Sequence, residues 1–227
     1  MNCIVTAGPT YEPLDDVRRL TNFSTGRLGT ELANFLAARG HTITLLLGAL
    51  ATHNGKCDAQ SIQSFTTTAD LQAKFKALSG KSPGKNSSKK VDAIFHAAAV
   101  SDFGFGQMFT RGAAGKLVPF KPSRKIPTRR GELLVELVPT PKIIAGLRRQ
   151  FPQTKIIGWK YEADGKRANA ISAAQKQITD CATDACVANG PAYGLGFGLI
   201  TPTSQTHFRN PQSLYVALEQ FCGKPNE

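Results

Sequence analysis

The chain has 227 residues, 41% hydrophobic and 19% charged, so it can bury one core, and we expect a single domain over residues 1–227. No apolar run approaches the roughly 18–20 residues that cross a bilayer, which argues against a membrane-embedded protein. The net charge of +12 indicates anionic partners. We interpret it as serving charged small molecules rather than nucleic acid, with the remainder on a solvated face.

The first stretch of the chain predicts a strand, a long loop and a helix. Residues Cys3–Thr6 form an apolar run typical of a buried strand, and apolar residues recur with helical spacing from Leu28 until Gly40. The loop between them contains Gly8 and Gly26. A helix start preceded by glycine and hydroxyl residues presents free backbone N–H groups, so the loop predicts an anion site, with close packing as the alternative.

A nicotinamide-binding turn is the obvious alternative function for this loop. However, 17 residues separate Gly8 from Gly26, unlike the Gly-x-Gly-x-x-Gly spacing of dinucleotide-binding folds. The second predicted strand, Thr42–Leu47, ends in Gly48-Ala49 and not in the acid that binds a ribose hydroxyl. The chain also lacks a Tyr-x-x-x-Lys pair, so an NAD(P)-dependent oxidoreductase remains a secondary hypothesis.

The middle of the chain predicts a strand at Ile62–Phe65, a helix at Ala69–Leu78 and a nearly all-apolar central strand at Val91–Val100. Asp102 follows that central strand. Because ligands of open α/β sheets bind outside the carboxyl ends of the strands, we expect Asp102 and the glycine loop after the first strand to face one crevice.

Two basic segments lack strong periodicity. Residues 79–90 carry four lysines and no apolar residue, which is typical of a solvated loop, a nucleic-acid arm being the alternative. Residues 103–131 combine five glycines with seven basic residues and no acid, which predicts a mobile flap over anions, an unstructured insertion being the alternative. The basic residues are Arg111, Lys116, Lys121, Arg124, Lys125, Arg129 and Arg130.

The last third of the chain alternates predicted strands and helices. The strands are Leu133–Val138, Lys155–Trp159 and Ala185–Ala188, and a glycine-rich stretch at 190–198 then leads to Leu199-Ile200. The helices are Pro141–Gln150 with Thr140 as N-cap, Lys166–Thr179 and Ser213–Cys222. This alternation predicts an α/β fold with a doubly wound, mainly parallel sheet and helices on both faces.

Several motifs together resemble the phosphopantothenoylcysteine synthetase (phosphopantothenate–cysteine ligase) family, the synthetase half of the DNA/pantothenate metabolism flavoproteins. The family pattern Asn-x-Ser-Ser-Gly-Lys/Arg-x-Gly is matched by Asn22-Phe-Ser-Thr-Gly-Arg-Leu-Gly29, with one conservative departure at Thr25. The other matches are Thr6-Ala-Gly-Pro-Thr10, Ala97-Ala-Ala-Val-Ser-Asp102, Lys125-Ile126, Val138-Pro-Thr-Pro-Lys-Ile143, Gly158-Trp159 and Val187-Ala-Asn189. Their order and spacing cover nearly the whole chain.

The resemblance implies a Rossmann-like fold and a two-step ligation in coenzyme A biosynthesis. The carboxylate of 4′-phosphopantothenate attacks the α-phosphate of a nucleoside triphosphate carried with Mg²⁺, and the amine of cysteine then attacks the acyl-nucleotide. CTP is the first expectation and ATP the second, because Pro141-Lys142-Ile143 is similar to the bacterial form while Asn22-Phe23 is similar to the eukaryotic one. Such chemistry needs positioning and charge stabilisation, and no convincing Ser/His/Asp set is present.

By the resemblance, Asn22 holds the acyl-nucleotide and Lys125 serves the phosphates or the reacting centre, while Pro127 stands where the family has a second lysine. Phosphopantothenate is expected at Asn22, Ser24 and Gly26. The nucleotide is expected at Gly8, Ala97, Ala98, Asp102, Lys125, Pro141, Lys142, Ile143, Ile144, Trp159 and Lys176. Lys176 covers only one of two family lysines, and Lys166 or Arg167 is the alternative; Trp159 either stacks on the nucleotide or belongs to the core.

The resemblance also implies a homodimer and a separate phosphopantothenoylcysteine decarboxylase as a possible partner. We expect no FMN, because the flavin belongs to the decarboxylase half to which many bacterial members are fused. Five cysteines without a Cys-x-x-Cys pair predict reduced thiols and a cytoplasmic protein; a metal site at Cys181, Cys186 and His207 is a weak alternative. A non-catalytic or redirected nucleotide-binding relative is the remaining hypothesis, and metal ligands beyond Asp102 stay open.

Overall fold

A computed structural model describes residues 1–80, 90–112, 115–121, 124–127 and 131–223. Within these ranges the chain forms thirteen strands and five helices. In chain order they are β1 (Asn2–Ala7), β2 (Tyr11–Pro13), β3 (Arg19–Thr21), α1 (Arg27–Ala38), β4 (Thr42–Gly48), β5 (Ser61–Phe65), α2 (Thr68–Leu78), β6 (Ala93–His96), β7 (Phe103–Arg111), β8 (Leu117–Phe120), β9 (Leu133–Pro139), α3 (Ile143–Gln150), β10 (Lys155–Tyr161), α4 (Arg167–Cys181), β11 (Ala185–Asn189), β12 (Phe197–Ile200), β13 (Gln205–Phe208) and α5 (Pro211–Cys222).

The main sheet has eight strands in the order β13-β12-β11-β10-β6-β1-β4-β5. The six strands from β11 to β5 run parallel, and β12 and β13 complete one edge as an antiparallel pair. The chain moves from β1 outward through β4 and β5, then returns to the other side of β1 with β6. This reversal makes the gap between β1 and β6 the topological switch point, which confirms the predicted doubly wound fold.

Helices cover both faces of this sheet, because apolar side chains alternate along the strands. Cys3 and Val5 of β1 pack with α1 and α5, whereas Ile4 packs on the opposite face with α2 and α3. On that second face, α4 packs against Cys186 and Ala188 of β11. The two-sided burial explains why the parallel strands read as continuous apolar runs.

Two predicted elements have different bounds in the structure. The central strand β6 ends at His96 and not at Val100, because the chain then turns toward the loop after β1, where the Ala99 N–H donates to the Gly8 carbonyl at 3.0 Å. Thr140 is not an N-cap. Its hydroxyl donates to the Ser101 carbonyl, and α3 begins only at Ile143.

Part of the expected flap is regular structure. Strands β7 and β8 lie within residues 103–131, and they join β9 in a separate antiparallel sheet of order β8-β7-β9. The predicted strand at 133–138 therefore belongs to this small sheet and not to the main one. Mobility of the flap stays a prediction, and Arg129 and Arg130 lie outside the described residues.

Sequence patterns missed two short hairpins, β2–β3 and β12–β13. The central part of the lysine-rich loop, residues 81–89, lies outside the described residues, so its role stays a prediction. No helix in the described ranges combines the length and apolarity that crossing a bilayer requires.

Candidate functional site

The loops at the carboxyl edge of β1 and β4 meet the start of α1 at very close range. Gly8 and Gly26 have φ values of +83° and +79°, which favour glycine. A Cβ added at Gly26 would lie 3.2 Å from the Gly8 nitrogen, and one at Gly48 would lie 2.4 Å from the Pro9 carbonyl oxygen. Side chains are therefore excluded at these glycine positions, and the backbones of the loops pack directly against one another.

The first turn of α1 carries backbone donors without partners. Gly26 is the N-cap and contributes no side-chain cap. The Arg27 N–H reaches the Thr25 hydroxyl at 3.3 Å, but the N–H groups of Leu28 and Gly29 have no partner among the described residues. These donors and the positive end of the helix dipole would suit an anion, and the anion site stays a prediction.

Asn22 is held at this edge by two carbonyl groups. Its Nδ2 donates to the carbonyl oxygens of Ala99 and Val100, both at 3.2 Å. Two carbonyl acceptors fix the orientation of the amide, because a flipped side chain would place Oδ1 against them. The Oδ1 atom has no partner among the described residues, and the side chain is exposed, so the atom offered to a ligand is an acceptor.

A web of hydroxyl groups positions the segment after β6, which contains Ala97, Ala98 and Asp102. The Ala98 N–H donates to the Thr6 hydroxyl at 3.0 Å, and the Ser101 N–H donates to the Thr10 hydroxyl at 2.8 Å. The Asp102 side chain is exposed. In the sequence it lies two residues after Val100, whose carbonyl accepts from Asn22. The switch-point prediction for Gly8 and Asp102 is thereby consistent with the topology of β1 and β6.

His96 lies beneath this web and is neutral. It is 6% exposed, and its Nδ1 lies 2.9 Å from the Thr6 hydroxyl. Burial disfavours the imidazolium and lowers the pKa of His96 to about 4. The residue therefore supports the loop through Thr6 and carries no charge toward an anion at neutral pH.

Lys125 belongs to a described segment, residues 124–127, that contacts the turn of the β2–β3 hairpin. The Ile126 N–H donates to Asp15 at 3.1 Å, and the Asp16 N–H donates to the Arg124 carbonyl at 3.0 Å. Strand β3 leads directly from this turn to Asn22. One hairpin therefore connects the two residues predicted to be catalytic.

Two buried polar atoms without partners lie at the carboxyl ends of β10 and β11. They are Nε1 of Trp159 and Oδ1 of Asn189. Trp159 is partly buried against the core beneath α1 and α5, so it is a core residue whose donor faces no protein acceptor. Asn189 was missed by sequence reasoning as a polar site residue. Its position directly after a buried strand is the signal that identifies it.

The structure does not bring every predicted residue to the crevice. The Ile143 side chain is 3% exposed inside the core under α3, which excludes it from ligand contact, and Ile144 packs against the same core. Lys176 pairs with Asp180 at 3.0 Å on an exposed face of α4, beyond the second turn from its start. Those three predictions are therefore weakened, while Lys142 stands at the N-cap of α3, with Pro141 before it, both exposed.

The described residues contain no group of three or more His, Cys, Asp or Glu side chains able to hold a metal ion. The weak metal alternative at Cys181, Cys186 and His207 is therefore wrong. Burial raises the pKa of Cys186 to about 12, so that thiol is a core group.

Asp102 has no ion-pair partner in the described ranges, and an exposed carboxylate suits Mg²⁺.

Comparison with known proteins gives a family match along the chain. The sequence model of the DNA/pantothenate metabolism flavoprotein C-terminal domain matches residues 1–215. The coenzyme A biosynthesis bifunctional protein CoaBC of Thermococcus kodakarensis is 31% identical over 82% of this chain and 40% of its own length. A cysteine/cysteine sulfinic acid decarboxylase from an unknown prokaryotic organism is 30% identical over 78% of this chain and 43% of its own. The chain thus spans less than half of these relatives.

Solved structures share the fold. The DNA/pantothenate metabolism flavoprotein from Streptococcus pneumoniae superposes with a TM-score of 0.79 at 22% identity, over 97% of both chains. A Cab2 mutant in complex with phosphopantothenate-cysteine superposes with a TM-score of 0.72 at 18% identity, over 97% of this chain and 87% of its own. At these identities the likeness establishes the architecture alone.

Proposed function

This chain belongs to the family of DNA/pantothenate metabolism flavoprotein C-terminal domains, and from that premise we propose that it is a phosphopantothenate–cysteine ligase of coenzyme A biosynthesis. The family match confirms the resemblance found in the sequence. One observation carries the proposal: the oriented Asn22 amide stands beside an unpaired helix start at the switch point. The complex of Cab2 with phosphopantothenate-cysteine supports the choice of reaction.

In the first proposed step, a carboxylate oxygen of 4′-phosphopantothenate attacks the α-phosphorus of the nucleotide, and pyrophosphate leaves. The free N–H groups of Leu28 and Gly29 bind phosphate oxygens, and Lys125 neutralises charge that develops at the reacting phosphorus. Mg²⁺, held by the phosphates and Asp102, would supply further neutralisation of the triphosphate.

In the second proposed step, the amine of cysteine attacks the acyl carbon, an amide bond forms, and the nucleoside monophosphate leaves with transfer of a proton from the amine. Asn22 offers Oδ1, an acceptor that binds a substrate N–H or O–H donor without titrating. This refines the sequence-based role of Asn22: it orients a donor group of the substrates, while its own N–H groups serve the protein.

For the nucleotide, we propose CTP ahead of ATP. Trp159 and Asn189, near the carboxyl ends of the adjacent strands β10 and β11, have a buried Nε1 donor and a buried Oδ1 acceptor without protein partners, and a base that reaches them would use its polar edge. Strand β4 ends at Gly48 without a carboxylate, which disfavours a dinucleotide with a free ribose hydroxyl at this edge.

We extend the proposal to a cytoplasmic homodimer, with a decarboxylase acting on its product. Exposed apolar side chains on the small β8-β7-β9 sheet support pairing of two copies, because such groups are usually covered in the assembled protein. They are Phe103, Leu117, Val118, Leu137 and Val138, each 42–53% exposed.

The test is pyrophosphate release with 4′-phosphopantothenate, Mg²⁺ and either CTP or ATP, each with and without cysteine. We expect cysteine-dependent turnover and release of the nucleoside monophosphate, faster with CTP. Pyrophosphate release without an amide product would favour the redirected relative. Folded protein that releases no pyrophosphate with either nucleotide would overturn the ligase.

Asn22→Ala is the first variant to measure in that assay. We expect the rate to fall about a hundredfold or more, as for loss of an oriented polar group in an active site. Because Asn22 is exposed, the free energy of unfolding should change by less than about 1 kcal/mol. Phe23→Ala, at a fully exposed neighbour, is the matched control for local disturbance. Full activity of Asn22→Ala would remove Asn22 from the site.

A further inference from the structure

The Asp15 carboxylate is fully inaccessible although it lies in a hairpin turn at the surface. Its side chain has 0% exposure, while that of its partner Arg18 is 42% exposed. Five hydrogen bonds from three residues reach its two oxygens. So many donors around one surface carboxylate indicate a built contact, because exposed ion pairs usually leave the oxygens in water.

The two oxygens of Asp15 have separate tasks. Oδ1 accepts the N–H groups of Val17 and Arg18, at 3.0 and 2.8 Å, and so closes the turn locally. Oδ2 accepts the Arg18 guanidinium at 2.5 and 3.0 Å and the N–H of Ile126, 111 residues away, at 3.1 Å. Only Oδ2 therefore makes the long-range contact.

Arg18 completes the contact from the other side. Its guanidinium donates to the Ile126 carbonyl at 2.7 Å while it pairs with Asp15. Both backbone groups of Ile126 are thus satisfied by one ion pair, and the Ile126 side chain is 5% exposed. We call these bonds among Asp15, Arg18 and Ile126 the hairpin latch.

We propose that Asp15 is a positioning residue: through the hairpin latch it fixes the segment that carries Lys125 to the hairpin that carries Asn22. Lys125 directly precedes Ile126, and Asn22 directly follows β3. The latch therefore sets where the backbone of Lys125 stands relative to Asn22. This role rests on the proposed ligase function.

The chemistry of the latch persists across the working range of pH. The Arg18 guanidinium holds the pKa of Asp15 well below its usual range, with further bonds from the backbone N–H groups of Ile126, Val17 and Arg18. The carboxylate consequently stays ionised wherever the fold is stable, and the latch is constant rather than switched by protons.

The isosteric variant Asp15→Asn separates the turn from the latch. Its Oδ1 can still accept the N–H groups of Val17 and Arg18. Its NH₂ group would face the Ile126 N–H and the Arg18 guanidinium, all of which are donors, so the contact with Ile126 is lost. Asp16→Asn is the matched control, since it removes the same charge from a neighbouring carboxylate that is 64% exposed; its ion pair with Arg124 reaches the same segment but is solvent-exposed and so contributes little.

The experiment measures hydrogen exchange of the Ile126 amide in protein with isotope-labelled isoleucine, together with pyrophosphate release. We expect Asp15→Asn to exchange about tenfold faster or more and Asp16→Asn to match the parent protein. We also expect Asp15→Asn to lower kcat about tenfold with little change in KM for the nucleotide. In a Lys125→Ala background the same substitution should have no further effect on kcat, as required for a residue that acts through Lys125.

Unchanged exchange at Ile126 would overturn the latch. Faster exchange with unchanged kcat, or a full additional loss in the Lys125→Ala background, would overturn the positioning role. Exchange needs no substrate, so it judges the latch even if the parent protein proves inactive. An inactive parent protein would overturn the proposed ligase function and the role of the latch in it.

Discussion

The role of each polar residue near the switch point depends on which of its donor or acceptor atoms has no partner in the protein. The Nδ2 group of Asn22 donates to the carbonyls of Ala99 and Val100, so its Oδ1 remains available as an acceptor. In Trp159 the atom without a partner is the Nε1 donor. The motif around Asn22 could be read from the sequence, but the free atom could not, because it depends on carbonyl groups 77 and 78 residues away. The same holds for Asp15 and Ile126.

Histidine 96 is expected to make stability depend on pH. Burial lowers the pKa of His96 from 6.5 to about 4, so between these values the unfolded chain binds more protons than the folded one. The free energy of unfolding should therefore fall as the pH decreases, by roughly 2–3 kcal/mol from this residue between pH 7.5 and 4.5. Urea titrations at both pH values measure it, with His96→Asn expected to lose less stability than the parent protein.

An exposed histidine provides the control for that measurement. His207→Asn is the control for the loss of a histidine side chain, because His207 lies at the surface. If the parent and His96→Asn lose the same stability on acidification, the imidazole is not held neutral by burial.

Among the secondary-structure elements, sequence periodicity predicts the strands and helices that are buried on one or both sides. It locates β1, β4, β10, α1 and α4 to within a few residues, since their apolar patterns follow from packing in the main sheet. It misses β7 and β8, because β7 contains two glycines, β8 contains a proline and is mostly exposed, and neither strand shows a clean apolar alternation. Pairing with β9 stabilises them, and such pairing is not visible in a local pattern.

The start of α1 gives a prediction that distinguishes backbone strain from collision. Gly26→Ala places a Cβ at φ +79°, 3.0 Å from the Ala51 Cβ and 3.2 Å from the Gly8 nitrogen. Gly40→Ala, just after the same helix, has φ +82° with nothing within 4 Å, so it carries the strain alone. We expect Gly40→Ala to cost about 1 kcal/mol and to retain activity.

Gly26→Ala should cost more than Gly40→Ala in urea unfolding and should also weaken nucleotide binding, because the loop must move away from Gly8. Calorimetric titration with CTP measures the second effect. Equal free energies of unfolding and equal CTP affinities in the two variants would mean that neither stability nor binding depends on the close approach of Gly26 to Gly8.

For the whole molecule, the strand order places the free donors of α1 and the free polar atoms of Trp159 and Asn189 along the same edge of the sheet. Strands β1, β6, β10 and β11 are adjacent and parallel, so these groups lie at the same end of the sheet, with the polar atoms of Trp159 and Asn189 buried. The sequence predicts the edge from the parallel arrangement. It predicts strand β9 but not the small sheet, because β7 and β8 come from a segment that reads as a basic flap.

That arrangement makes the single tryptophan of the chain a reporter of ligand binding. A nucleotide that extends from the start of α1 to β10 should give Nε1 of Trp159 a polar partner and so change the emission of the protein, saturating at the affinity found by calorimetry. Trp159→Phe should lose the signal, and a nucleotide that uses the Nε1 donor should bind it more weakly, by about 1 kcal/mol. Binding by calorimetry without any change in emission would place the nucleotide elsewhere along the edge and remove Trp159 from the site.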